Sequence, residues 1–187
     1  TVLITGSLPF KLRIEKLDNI SPIMGKDFIR NSFYVGGLAL LAVGAVIFIR
    51  YRKLKIMLPM LLIMVSEIVI TLGLIGLLGE FFEWRLDIVG IAGLIASVGT
   101  GVDDQIVIID EVLRGDEKVY NWRQRTKRAF FIIFSAFATT LAAMLPLLSA
   151  GAGLIRGFAL TTIFGITIGV FITRPAFASM IESLLGE

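Results

Sequence analysis

Asp103 and Asp104 are adjacent carboxylates inside a stretch, Ile88 to Ile109, that otherwise reads as membrane. A carboxylate in hydrocarbon costs at least ~2.5–3.5 kcal/mol on insertion scales. Two in succession therefore call for a reason: ion or proton handling, a partner charge, or a wet cavity between helices. A carboxyl group held away from water gives up its proton reluctantly, and two neighbours titrate as one coupled unit. Such a group binds and releases a proton as water access changes, which is a physical route from an ion gradient to a change of shape. Another acid, Glu67, interrupts a second apolar run. Asp103, Asp104 and Glu67 are thus the expected proton- or ion-coupling residues.

The elements that must carry them are membrane helices. The chain has 187 residues, of which 56% are hydrophobic and 18% charged, and its mean hydropathy is +0.88. Soluble domains lie nearer ~45–50% apolar and ~25% charged, so the class is integral membrane protein. Cysteine and histidine are absent, which removes disulfides, thiol chemistry and most zinc or copper sites. No catalytic set, metal site or cofactor is expected, and the chain reads as a non-enzyme. A pI near 9.4 raises the question of nucleic acid, but the basic residues cluster beside apolar segments, where membrane topology accounts for them. The chain begins at Thr1 with neither initiator nor signal peptide, and reads as the later part of a longer protein.

The expected fold is an all-α integral membrane protein, a five-helix transmembrane bundle. Its spans fall at about 33–49, 56–79, 88–109, 129–150 and 157–181, each near the ~20 residues that cross hydrocarbon. Arg174, near the end of the last span, is expected to snorkel to headgroups, with Pro175 kinking or ending the helix. Arg50-Tyr-Arg-Lys-Leu-Lys55 is basic, as is the segment carrying Arg114, Lys118, Arg123, Arg125, Lys127 and Arg128. The connection from Glu80 to Asp87 is acidic apart from Arg85. The positive-inside rule puts both basic loops in the cytoplasm, so Thr1 lies outside and the C-terminus inside. Glu111 to Arg128 is expected to be an amphipathic helix along the headgroups.

Residues 1–32 read as an extracytoplasmic segment, distinct from the transmembrane part, 33–187. Phe10-Lys-Leu-Arg-Ile-Glu15 alternates as a half-buried strand does, and its sheet partners would lie upstream or in another chain. Ser21-Pro-Ile-Met-Gly25 reads as a turn, and Lys26 to Ser32 as a short interfacial helix.

Depth can be estimated at ~1.5 Å per helical residue. Asp103 then lies roughly 9–10 Å from the cytoplasmic end of its span and Glu67 roughly 16 Å from its own. Ser135 falls at about 9 Å, and Thr139 and Thr140 at about 15–17 Å. One slab of bilayer holds them all, which permits a single polar cluster with Ser135, Thr139 and Thr140 in support. Small residues let membrane helices approach closely. Gly90, Gly93, Ser97 and Gly101 run toward Asp104, whereas Ala92, Ala96 and Gly99 run toward Asp103.

Plainer readings stand beside these. Asp103 has the lesser alternative of a permanently protonated structural carboxyl, and Asp104, about 100° round the helix, the stronger one of a group touching water or headgroups. Glu67 has the alternative of an interhelical hydrogen bonder. The hydroxyls of Ser135, Thr139 and Thr140 have the alternative of bonding back to their own helix. Asp110 and Glu111 read as solvated at the interface. Gly99-Thr-Gly-Val-Asp103 invites comparison with intramembrane aspartyl proteases, but Val102 separates glycine from aspartate and no other span carries an aspartate.

Gly90-Ile-Ala-Gly-Leu-Ile-Ala-Ser-Val-Gly-Thr-Gly-Val-Asp-Asp-Gln-Ile-Val-Ile-Ile-Asp-Glu111 resembles the signature span of SecD in the SecD/SecF family. In that span a G-I-A-G segment leads into V-D-A-N and a charged cytoplasmic helix. Thr139-Thr-Leu-Ala-Ala143 and Gly151-Ala-Gly-Leu-Ile-Arg-Gly-Phe-Ala159 resemble the family's T-T-L-I-A-A and G-x-G-x-I-K-G-F-A runs. Leu8-Pro9 and Ser21-Pro-Ile-Met-Gly25 are similar to the family's approach to its second membrane helix. The resemblance is to the archaeal type of the family.

The resemblance implies helices two to six of a six-helix half related to the RND superfamily, entered by a strand from a large external domain. It implies an accessory subunit of the Sec translocase that uses the proton-motive force to help export polypeptides. The implied partners are SecF, the Sec translocon channel, the translocating polypeptide and the lipid bilayer; no nucleic acid is among them. Asp103 takes the place of the family's proton-linked aspartate. Asp104 and Gln105 stand where the bacterial pattern has Ala and Asn, and Ser135 and Phe137 where it often has Asp and Asn. Asp104 or Glu67 would then substitute for the missing acid. An RND-type exporter of small hydrophobic molecules and a translocon scaffold remain as alternatives.

Overall fold

The computed structural model describes residues 22–79, 86–113, 122–150 and 154–185, with side chains from Arg30 onward. The expected strand near Phe10 and residues 114–121 of the 111–128 segment lie outside the described residues; 111–113 end one long helix and 122–128 open the next. Two compact units divide the chain, 1–35 and 36–187. The described part of the first is the opening of a helix. The packing and the candidate site described below lie within the second.

All described elements are helical: α1 (Pro22–Tyr51), α2 (Leu54–Leu78), α3 (Ile88–Leu113), α4 (Trp122–Ala150), α5 (Leu154–Ile168), a π-helical turn (Gly169–Thr173) and α6 (Arg174–Leu185). Among the described residues, five helices are long and apolar enough to cross a membrane, the fifth being α5, the π-turn and α6 taken as one run. Where the sequence predicts a turn at 21–25, a helix already begins at Pro22. Proline suits that place because its missing N–H falls on a position with no intrahelical acceptor.

Local chemistry fixes several helix ends. Asp87 precedes α3, and its Oδ1 accepts the Gly90 N–H at 2.6 Å, a side-chain cap on the first turn. Between α1 and α2 lie only Arg52 and Lys53. Arg52 has φ 51° and donates its N–H to the Phe48 carbonyl at 2.8 Å, closing α1 in the left-handed manner usually given to glycine. At the other end of α3, Arg125 Nη1 donates to the Val112 carbonyl at 2.9 Å.

Asp110 and Glu111 are engaged in the structure. Asp110 accepts from Arg50 Nη2 at 2.5 Å and from the Tyr51 hydroxyl at 2.8 Å, tying α1 to α3. Glu111 is buried and faces Arg128 Nη1 at 3.5 Å. Both acids have found cations from neighbouring helix ends, which the linear sequence does not display.

The tightest packing is between α3 and α5, where small residues meet. A Cβ at Gly93 would stand 2.6 Å from the Phe158 carbonyl oxygen, and a Cβ at Gly165 would collide with Ser97. Thr162 donates across the gap to the Gly93 carbonyl at 3.4 Å. Toward the basic end, Ile56, Met60, Met64, Ile108, Ile109, Phe177 and Ile181 form an apolar core with Ile47. Helix α4 is different: only 6% of its most apolar stretch is buried, against 39% for α3.

Candidate functional site

Arg174 is the keystone of the bundle. Sequence reasoning sends it to the headgroups; in the structure it is 1% exposed and sits between α2 and α3 partners. Its Nη1 donates to Glu67 Oε2 and its Nη2 to Glu67 Oε1 at 3.4 Å. Its Nε donates to Asp104 Oδ2 at 3.3 Å. Nη1 also reaches the Thr173 hydroxyl oxygen at 2.5 Å. That hydroxyl lies 3.1 Å from Glu67 Oε2 and 3.2 Å from the Gly169 carbonyl oxygen, either of which can accept its proton. One planar guanidinium thus spans two carboxylates on two helices, a task its five fixed donors suit.

Local sequence makes room for it. Pro175 has no N–H to give to the preceding turn and its ring crowds that turn's carbonyls. The helix crosses this point by widening: the Arg174 N–H bonds to the Gly169 carbonyl, five residues back. Proline here neither ends the run nor stands alone as its kink. A Cβ at Gly101 would collide with the Arg174 guanidinium, and one at Gly169 would lie 2.9 Å from Nη2. These two glycines form the walls of the guanidinium's seat.

Glu67 is 1% exposed, whereas the Asp104 side chain retains 19%. A buried pair gains from its Coulomb attraction only where its hydrogen bonds are also satisfied, and removing one partner costs about 3–5 kcal/mol. Glu67 meets that condition through Arg174 and Thr173. Counting formal charges, one guanidinium faces two carboxyl groups. A single proton or cation would bring the cluster to neutrality, and Asp104 is the more exposed of its two acids.

Asp103 faces away from this cluster and is exposed. The glycines divide the same way: Gly90, Gly93 and Gly101 are buried, but Gly99 is exposed and nothing lies within 4 Å of a Cβ built there. The supporting hydroxyls do not join. Ser135 bonds to the Phe131 carbonyl at 2.8 Å, and Thr139 and Thr140 both to the Ala136 carbonyl at 2.9 Å. The single polar cluster expected from shared depth is therefore two separate regions, since depth fixes height along the bundle and not direction around each helix. Arg174 and Thr173 are what the sequence reading missed. The available signal was charge complementarity: Arg174 is the one charge within 157–181, as Glu67 is within 56–79.

The comparisons with known proteins bear on what such a site serves. The family model described as protein export membrane protein SecD/SecF, C-terminal, matches residues 4–181. Protein-export membrane protein SecD of Methanocaldococcus jannaschii is 51% identical over 98% of this chain and 45% of its own length. Its counterpart in Methanothermobacter thermautotrophicus is 43% identical over 98% and 46%. Protein translocase subunit SecD of Synechocystis is 32% identical over 89% and 35%. The chain spans about half the length, or less, of these curated relatives.

Proposed function

The chain belongs to the SecD/SecF family of protein-export membrane proteins, and on that premise we propose that it is the helical membrane part of a protein-export subunit. In this reading its intramembrane acids couple ion movement, driven by the proton-motive force, to polypeptide transport. The observation that carries it is the cluster of Glu67, Asp104 and Arg174, with two carboxyl groups on one buried guanidinium. Ionisable groups inside a bilayer are rare and face bundle interiors or wet cavities, where they mark ion pathways.

Asp104 and Asp103 take different parts. Asp104 exchanges the proton that balances its cluster, and losing or gaining it alters the hold of Arg174 on α3. Asp103 faces outward beside Ala96 and Gly99, which are also exposed. Small residues admit a neighbouring membrane helix, so this face suits a second, SecF-type half that keeps Asp103 away from lipid. The basic loops lie in the cytoplasm, and the assembled pair works beside the Sec channel as an accessory.

Export into inverted vesicles, with and without an imposed pH gradient, tests this. Asp103→Asn and Asp104→Asn should each remove the gradient-dependent part of export while insertion and folding persist. Undiminished gradient dependence in both variants would defeat the coupling role. A scaffold draws support from the same satisfied Glu67–Arg174 pair. It requires export to survive neutralisation of Asp103, Asp104 and Glu67 together in variants that still fold.

A further inference from the structure

At the end of the bundle that carries Arg50, Arg125 and Arg128, an open pocket of about 730 Å³ lies between the start of α4 and the end of α6. Trp122, Arg123, Gln124, Thr126, Lys127 and Phe130 of α4 line it together with Glu182 of α6. The α4 residues follow helical spacing, since positions three and four apart share a face. Arg125 and Arg128 turn instead to the end of α3, where they meet Val112 and Glu111. Arg123 and Lys127 have no carboxylate within ion-pair distance among the described residues. The Thr126 hydroxyl is shielded from solvent, also without a hydrogen-bond partner among them.

We propose that this pocket holds the phosphate of a phospholipid headgroup. Arg123 and Lys127 are the cations for the phosphate oxygens. The first turn of α4 contains no acidic residue, and a helix N-terminus favours an anion through its dipole. Height agrees with charge. From Arg123 to Phe130 is about 10 Å of helix, and the apolar stretch of the span follows. The cations therefore stand at headgroup level while Phe130 meets the first acyl carbons, and Trp122 occupies the interfacial belt that indoles favour. Basic pockets between helices at this depth are suited to anionic headgroups. Glu182 offsets one of the two cations, so the pocket selects a singly charged phosphodiester and disfavours a doubly charged monoester.

The site does not depend on the export reading, and its test does not use export. The full chain is taken into mild detergent from vesicles of phosphatidylglycerol and phosphatidylcholine, and retained lipid is counted by native mass spectrometry. Wild type should keep phosphatidylglycerol, and Arg123→Gln combined with Lys127→Gln should weaken its retention by roughly tenfold or more. Glu182→Gln should strengthen retention, a gain that misfolding cannot imitate. Arg156→Gln, a basic residue of another connection, should change nothing. Equal retention by wild type and the double variant, or no gain from Glu182→Gln, overturns the proposal. Displacement of the lipid by millimolar inorganic phosphate would mean a free-phosphate site and would also overturn it.

Discussion

Helices α3 and α4 both carry polar side chains within apolar spans, and they dispose of them in opposite ways. On α4, Ser135, Thr139 and Thr140 each bond to a carbonyl three or four residues back in the same helix. Nothing then obliges that helix to turn them inward, and it remains largely uncovered. On α3, Asp104 has no such local remedy, because a carboxylate accepts hydrogen bonds and helix carbonyls accept them too. It is satisfied only by a donor from elsewhere, and Arg174 is that donor. Polar groups that can be satisfied within one helix leave packing undetermined; groups that need a partner on another helix specify it.

The contrast breaks first at its centre. Arg174→Met leaves Glu67 buried and unpaired, and we expect a loss of about 3–5 kcal/mol in resistance to unfolding by denaturant or heat in detergent. Adding Glu67→Gln should restore part of that loss, and strict additivity of the two changes would show that the pair is not coupled. Next in size, Gly93→Ala should cost about 1–3 kcal/mol, because its methyl must push against the Phe158 carbonyl across the α3–α5 contact. The same substitution at Gly99, where the space is open, should leave folding stability unchanged, and equal effects at both positions would erase the distinction between the two faces of α3.

Gln105 sharpens the comparison from the other side. It is fully buried one turn below Gly101, and both amide atoms lack hydrogen-bond partners among the described residues. Gln105→Leu should therefore be neutral or stabilising, by up to about 1–3 kcal/mol, since it removes an uncompensated desolvation cost. A clear loss of stability would show that this amide is satisfied in the membrane. The smallest effect belongs to α4: replacing Ser135, Thr139 and Thr140 together by alanine should shift stability by no more than about 0.5 kcal/mol per site. A larger loss would place those hydroxyls in a packed contact.

Asp103 carries a related lesson. Two neighbours in the sequence, separated by one residue's rotation of the helix, end on different surfaces, one held by Arg174 and the other facing out. The stripe of Gly90, Gly93 and Gly101 and the stripe ending in Gly99 were both legible as small-residue faces. Which of them would meet α5 was not, because each satisfies the same packing requirement.

Composition and apolar run length alone determined an all-helical membrane class with five runs long enough to cross, which the described residues match with five helices of that kind, because a backbone in hydrocarbon must satisfy its hydrogen bonds within each segment. The ordered motifs around Asp103, the paired threonines and Gly157 likewise carried the family on their own. Tertiary structure decided which acids meet which cation. Glu67 and Arg174 stand 107 positions apart in the chain, and only the packing of the last span against α2 and α3, through a widened turn before Pro175, brings them together. A sequence states that a buried charge needs a partner; the direction each helix faces chooses it.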